Sequence, residues 1–189
     1  MLFNIPNSLT WGRILLIPLF VGVFYAPASW FSMAEKNLIA TALFIFAALT
    51  DWLDGYLARS LAQTSAFGAF LDPVADKLMV AAALLVLVQL DRTDAVIAFV
   101  IIGREIAISA LREWMAKIGD HKSVAVSFVG KFKTAAQMVA IPMLLFHGTL
   151  LGINMQNVGT WLIYVAALLT LWSMGYYLRM AWPQLSARR

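Results

Sequence analysis

Six apolar runs follow one another along the chain, roughly at 7–27, 37–59, 70–90, 94–115, 131–151 and 158–181. Each approaches the ~20 residues an α-helix needs to cross a hydrocarbon core. The strict alternation of a membrane β-barrel strand is absent. Backbone groups in hydrocarbon must be satisfied within their own segment, so the pattern predicts an all-α membrane protein: a six-transmembrane-helix bundle with short connections. The first run should open behind Pro6, with Asn7 or Ser8 as N-cap. Part of it, LLIPLFVGVFYAPA, has the outline of a secretion-signal core. The residues before Arg13 are not basic and further spans follow, which favours a retained first helix.

Composition agrees with lipid as the solvent. Of 189 residues, 62% are hydrophobic and only 13% charged, and the mean hydropathy of +0.81 excludes an ordinary soluble globule. No linker, low-complexity tract or convincing internal repeat interrupts the chain, so residues 1–189 are expected to form a single integral membrane domain.

Charge placement sets the orientation. With six spans, both termini share one side with the connections near 60–69 and 116–130. That side and its adjoining helix ends carry Arg59, Arg112, Lys117, Lys122, Lys131, Lys133, Arg179, Arg188 and Arg189, against Lys36 and Arg92 on the other. The positive-inside rule makes it cytoplasmic. The net charge of +4 then reflects membrane-proximal bases facing anionic headgroups, and no nucleic-acid partner is expected. Without cysteine there is neither a disulfide framework nor a thiolate metal site. His121 and His147 stand apart with no companion at ligand spacing, and the seven tryptophans and twelve phenylalanines read as interfacial belts and lipid-facing packing.

The chemistry concentrates between positions 51 and 76, DWLDGYLARSLAQTSAFGAFLDPVAD. Asp51 and Asp54 are three apart, Asp72 and Asp76 four apart, so on two helices each pair projects from one face. An isolated carboxylate near mid-bilayer costs ~2.5 to 3.5 kcal/mol, so four need compensation. Hard oxygen donors suit magnesium or manganese, and a carboxylate site holding one or two such ions suits phosphate chemistry. Gly55 and Ala58 leave room for a ligand or a neighbouring backbone, and small residues also serve helix packing. Arg59 could pair with a diphosphate oxygen or snorkel to the interface.

The full spacing, DxxDGxxAR followed by eight residues and GxxxDxxxD, is met by Asp51, Asp54, Gly55, Ala58, Arg59, Gly68, Asp72 and Asp76. It resembles at every fixed position the signature of the CDP-alcohol phosphatidyltransferases, membrane enzymes that join a phosphatidyl group to an alcohol and release CMP. The resemblance implies that family's six-helix fold, a divalent metal pair (Mg2+ or Mn2+) on Asp51, Asp54, Asp72 and Asp76, and Asp76 as ligand and proton acceptor. Gly55, Ala58, Arg59 and Ser65 would contact CDP-diacylglycerol. The residues alone do not say which aspartate is the base.

An acceptor carrying a phosphate would need cations, and the candidates are Arg104, Arg112, Lys131 and Lys133. Arg104 lies with Glu105 inside the apolar run IAFVIIGREIAISAL, where a charge is functional by default or forms an internal pair. Lys131 and Lys133 open the fifth run, where interface anchoring is the plainer role. The stretches NIPNSLTWGRILLIP, GREIAISALREWMA and SVAVSFVGKFKTAAQMVA resemble the bacterial branch of the family whose acceptor is sn-glycerol 3-phosphate. That branch implies phosphatidylglycerophosphate and CMP as products, a homodimer, and an active site on the cytoplasmic side of the inner membrane. Asn7, Thr10 and Arg13 could border the nucleotide or serve as cap and interface residues. The motif itself does not choose among acceptors such as serine or inositol phosphate, and intramembrane acids also suit a divalent-cation transporter. Against transport, the acids gather near one membrane face rather than across a pseudo-repeat.

Overall fold

The computed structural model describes residues 5–60, 66–117 and 128–186. Within these, the side chains of 5–7, 54–60, 66, 67, 69, 112, 116, 117, 128–131, 177 and 180–186 lie outside the description. Six helices follow in order: α1 Ile5–Tyr25, α2 Met33–Ser60, α3 Ala66–Gln89, α4 Ala95–Lys117, α5 Phe128–Phe146 and α6 Met155–Ser186. The expected helix number is met. Among the described residues, three helices are apolar enough over a sufficient length to cross a membrane, at Ser8–Tyr25, Met33–Leu53 and Met155–Tyr176. Helices α3 and α4 fall short because any sufficient length of them carries three charges, Asp72, Asp76 and Lys77 in α3 and Arg104, Glu105 and Arg112 in α4, while the apolar part of α5 is the shorter Phe132–Phe146.

Two boundaries differ from expectation. Helix α1 begins at Ile5, so Pro6 and Asn7 fall in its first turn rather than before it. Proline is tolerated there because the first-turn N–H groups have no intrahelical partner. The run expected to stay helical to 151 stops at Phe146, where His147 adopts a positive φ of 50°. A two-strand hairpin follows, β1 Thr149–Leu150 antiparallel to β2 Ile153–Asn154, turning through Leu151 and Gly152 with φ of 52° and 80°. Two successive positive φ values match a type I′ turn, and apolarity alone had disguised this reversal as helix.

Local signals place the other ends. Ser32 and Glu35 form a capping box on α2: the Glu35 N–H donates to Ser32 Oγ (3.3 Å) and the Ser32 N–H to Glu35 Oε2 (2.7 Å). Asp94 accepts from the Val96 N–H at the start of α4, and Asn154 from the Asn157 N–H at the start of α6. Helix α3 ends in a Schellman motif: Arg92 N donates to Leu87 O (2.9 Å), Asp91 N to Val88 O (3.1 Å), and Asp91 has φ of 53°.

Helix α1 packs on α2 and α3, α5 on α2 and α6, and α4 against α3 and α6. Phe20, Phe44, Leu84, Leu87, Ile101 and Leu144 share one core. Gly159 permits the close α5–α6 contact, since a Cβ there would stand 2.9 Å from Leu144 Cγ and 3.2 Å from the Ala140 carbonyl. Leu15, Phe46, Leu85, Phe99, Trp161 and Trp172 point outward and exposed, as lipid requires.

The two bases assigned to the minority side are both buried and structural. Lys36 Nζ donates to the Ala26 and Phe24 carbonyls (2.5 and 3.4 Å) at the C-terminal end of α1. Arg92 donates through Nη1 to Leu144 and Leu145 carbonyls and through Nη2 to Asn37 Oδ1 (2.8 Å). Each cation satisfies orphan carbonyls at a helix C-terminus. Burial lowers the pKa of Arg92, and His147, partly desolvated and facing Arg92, is also lowered. These bonds hold the C-termini of α1, α3 and α5 and the N-terminus of α2 at one end of the bundle. The aspartates lie toward the other.

Candidate active site

Arg13 is the hub of the acidic half. Its side chain is 1% exposed, and Nη1 donates to Asp51 Oδ1 at 3.0 Å and Asp76 Oδ1 at 2.5 Å. The carboxylates are 45% and 42% exposed. The cation is thus set into the wall while the acids it orients face open space. One turn earlier on α1, Thr10 is buried and donates to Asp72 Oδ1 at 2.5 Å. Asp72 and Asp76 share a face of α3, Thr10 and Arg13 a face of α1, and the two faces meet.

A second cluster faces the first. Arg104 Nη1 donates to Glu105 Oε1 at 3.1 Å, and Lys133 Nζ donates to the same oxygen. Arg104 also donates through Nη2 to Ser173 Oγ on α6 at 3.3 Å. Arg104 and Lys133 are buried and Glu105 is a quarter exposed. The internal Arg104–Glu105 pair considered from the sequence exists, as part of a three-charge group with Lys133.

Members of both clusters line one cavity of about 510 Å³: Arg13, Asp51, Asp72 and Asp76 from the first and Arg104 and Glu105 from the second, with Lys77 beside them. Phe44, Ala47, Met79 and Ile108 supply apolar lining. An apolar cavity with a few convergent polar groups is the ordinary form of a small-molecule site.

Of the aspartates singled out by sequence, three converge on this cavity. Asp54, Gly55, Ala58 and Arg59 lie on α2, but their side chains fall outside the described set, as do those of Arg112 on α4 and Lys131 on α5. Ser65 and His121 lie outside the described residues altogether. Among the described residues no three acidic or imidazole groups form a closed metal cage. Asp51 and Asp76 converge on the Arg13 guanidinium, and their carboxylate oxygens are hard donors of the type a divalent cation takes. Sequence reasoning left Arg13 and Thr10 undecided and missed Lys77 and Gln137. The signal for Arg13 was a base inside an apolar run three residues after a threonine.

This fold and site define a membrane enzyme class that a family model identifies independently. The model for CDP-alcohol phosphatidyltransferase matches residues 3–172, and the chain belongs to that family. It is 50% identical over 183 residues to a protein of Haemophilus influenzae named CDP-diacylglycerol--glycerol-3-phosphate 3-phosphatidyltransferase, covering 96% of this chain and 95% of that one. Proteins of the same name from Pectobacterium atrosepticum (50%) and Shigella flexneri serotype 5b (51%) match over 183 residues, 96% of each chain.

Proposed function

We propose that this chain, as a single membrane-embedded catalytic unit, transfers the phosphatidyl group of CDP-diacylglycerol to sn-glycerol 3-phosphate, giving phosphatidylglycerophosphate and CMP for phospholipid biosynthesis. The observation that carries the reading is one cavity with carboxylates at one end and a cationic cluster at the other. The named relatives supply the acceptor.

Asp51, Asp54, Asp72 and Asp76 would hold divalent metal, magnesium or manganese and two ions by family resemblance. When bound, metal supplies charge neutralisation on the diphosphate and the departing CMP. Arg13 and Thr10 orient the aspartates from behind. Gly55, Ala58, Arg59 and Ser65 receive the nucleotide. Arg104 and Lys133, with Arg112 and Lys131 nearer the helix ends, bind the acceptor phosphate, and Glu105 holds the first two in register. The primary hydroxyl, the less hindered nucleophile, then reaches the carboxylate end, where Asp76 takes its proton.

Purified protein supplied with CDP-diacylglycerol, magnesium or manganese and a panel of glycerol 3-phosphate, serine and inositol phosphate should release CMP with the first alone. Chelation should stop the release. Preferential use of serine or inositol phosphate would overturn the acceptor, and undiminished release in chelator would overturn the metal requirement.

The site end of the bundle faces the cytoplasm of a bacterial inner membrane in this reading. Support comes from the structural employment of Lys36 and Arg92, which leaves the opposite end without an uncommitted base among those counted there. Single cysteines at Ala62 and Ser186 should resist an impermeant thiol reagent in intact cells and one at Ser29 should react; the reverse pattern would invert the topology. The homodimer implied by the resemblance belongs to the same reading, and light scattering in detergent tests it.

A further inference from the structure

Gln137 lies on α5 four residues after Lys133, so the two share a helix face with Gln137 roughly 6 Å further along the axis. It is 4% exposed, lines the cavity, and its Oε1 has no hydrogen-bond partner. A buried amide left unsatisfied is costly and uncommon in native structures, which makes it a candidate for satisfaction by a ligand. Its place on α5, the helix that carries Lys133, puts it on a different element from the acids of α2 and α3.

Glycerol 3-phosphate presents three polar groups: the phosphate, the attacking primary hydroxyl and a secondary hydroxyl. The phosphate is matched by Lys133 and Arg104 and the primary hydroxyl by Asp76. The secondary hydroxyl, both donor and acceptor, has no counterpart among these. A carboxamide is its complement. We propose that Gln137 hydrogen-bonds the secondary hydroxyl of the acceptor and thereby selects a vicinal-diol phosphate over a simple hydroxyalkyl phosphate. This rests on glycerol 3-phosphate being the acceptor.

The experiment compares glycerol 3-phosphate with 3-hydroxypropyl phosphate, which keeps the phosphate and primary hydroxyl and lacks the secondary one. Wild-type protein should prefer glycerol 3-phosphate on the order of 10- to 100-fold in kcat/KM, the span for leaving a buried polar group unpaired. Gln137→Leu and Gln137→Met should lose most of that preference by losing activity toward glycerol 3-phosphate, with turnover of 3-hydroxypropyl phosphate little changed. A merely structural glutamine would depress both substrates together, and that result, or retention of the preference in either variant, would overturn the proposal. Should neither variant fold, the wild-type ratio still decides: equal use of the two phosphates would sink the selection. Failure of wild-type protein to use either phosphate, with CMP released by another alcohol, would instead remove the glycerol 3-phosphate reading, and this inference with it.

Discussion

Asp76→Asn should bind CDP-diacylglycerol near normally and turn it over about 100- to 10,000-fold more slowly at saturating magnesium or manganese, the range for removal of a general base. Asparagine keeps the size and one oxygen of aspartate but loses the charge and nearly all the basicity. Arg13 would retain Asp51 as a partner, so the acidic wall should stay assembled. The measurement pairs turnover with nucleotide-lipid binding across a metal titration. Restoration of near wild-type rate by metal alone would make Asp76 a ligand only and move proton acceptance to another group. Collapsed binding would place the substitution's effect upstream of chemistry.

Lys133→Ala should raise the Michaelis constant for glycerol 3-phosphate on the order of 10- to 100-fold while leaving that for CDP-diacylglycerol little changed. A charge-assisted hydrogen bond contributes about 1.5 to 3 kcal/mol, which sets this scale. Glu105 would keep Arg104 as its counter-ion, limiting the structural damage. Lys133→Arg, which preserves charge but changes donor geometry, should fall between. Equal Michaelis constants for the acceptor in wild-type and variant, in protein that elutes and melts normally, would remove Lys133 from the phosphate site. A rise confined to CDP-diacylglycerol would assign it to the donor half.

Much of this architecture could be read from one-dimensional pattern, because membrane burial writes itself into long apolar runs and a two-helix carboxylate array into spacings of three and four. Where reading failed, the cause was distance along the chain. Thr10 and Asp72 are 62 residues apart and Arg13 and Asp76 are 63 apart, so nothing local tells an arginine in an apolar run whether it will snorkel or meet an aspartate. Glu105 looked like a partner for its neighbour alone, since Lys133 arrives from 28 residues away. The hairpin at 149–154 was hidden for the opposite reason: Leu150, Leu151 and Ile153 are apolar enough to extend a helix, and only Gly148 and Gly152 mark the reversal. Gln137 carried no signal, because a single amide in a helix is equally at home in packing.

The counter-charge arrangement has a consequence for the order of events inside the cavity. At one side Arg13 bridges Asp51 and Asp76 while Thr10 donates to Asp72; at the other Arg104 and Lys133 share Glu105. Divalent metal on the aspartates would turn the acidic end cationic, so the loaded cavity would present positive charge at both ends of a space with apolar lining where a field is weakly screened. An anionic acceptor entering before the metal would meet bare carboxylates where its hydroxyl must go; entering after it, the acceptor would meet charge of the sign that draws an anion. Metal first and acceptor second is therefore the order the charges favour, and specific contacts rather than the field choose which end of glycerol 3-phosphate goes where.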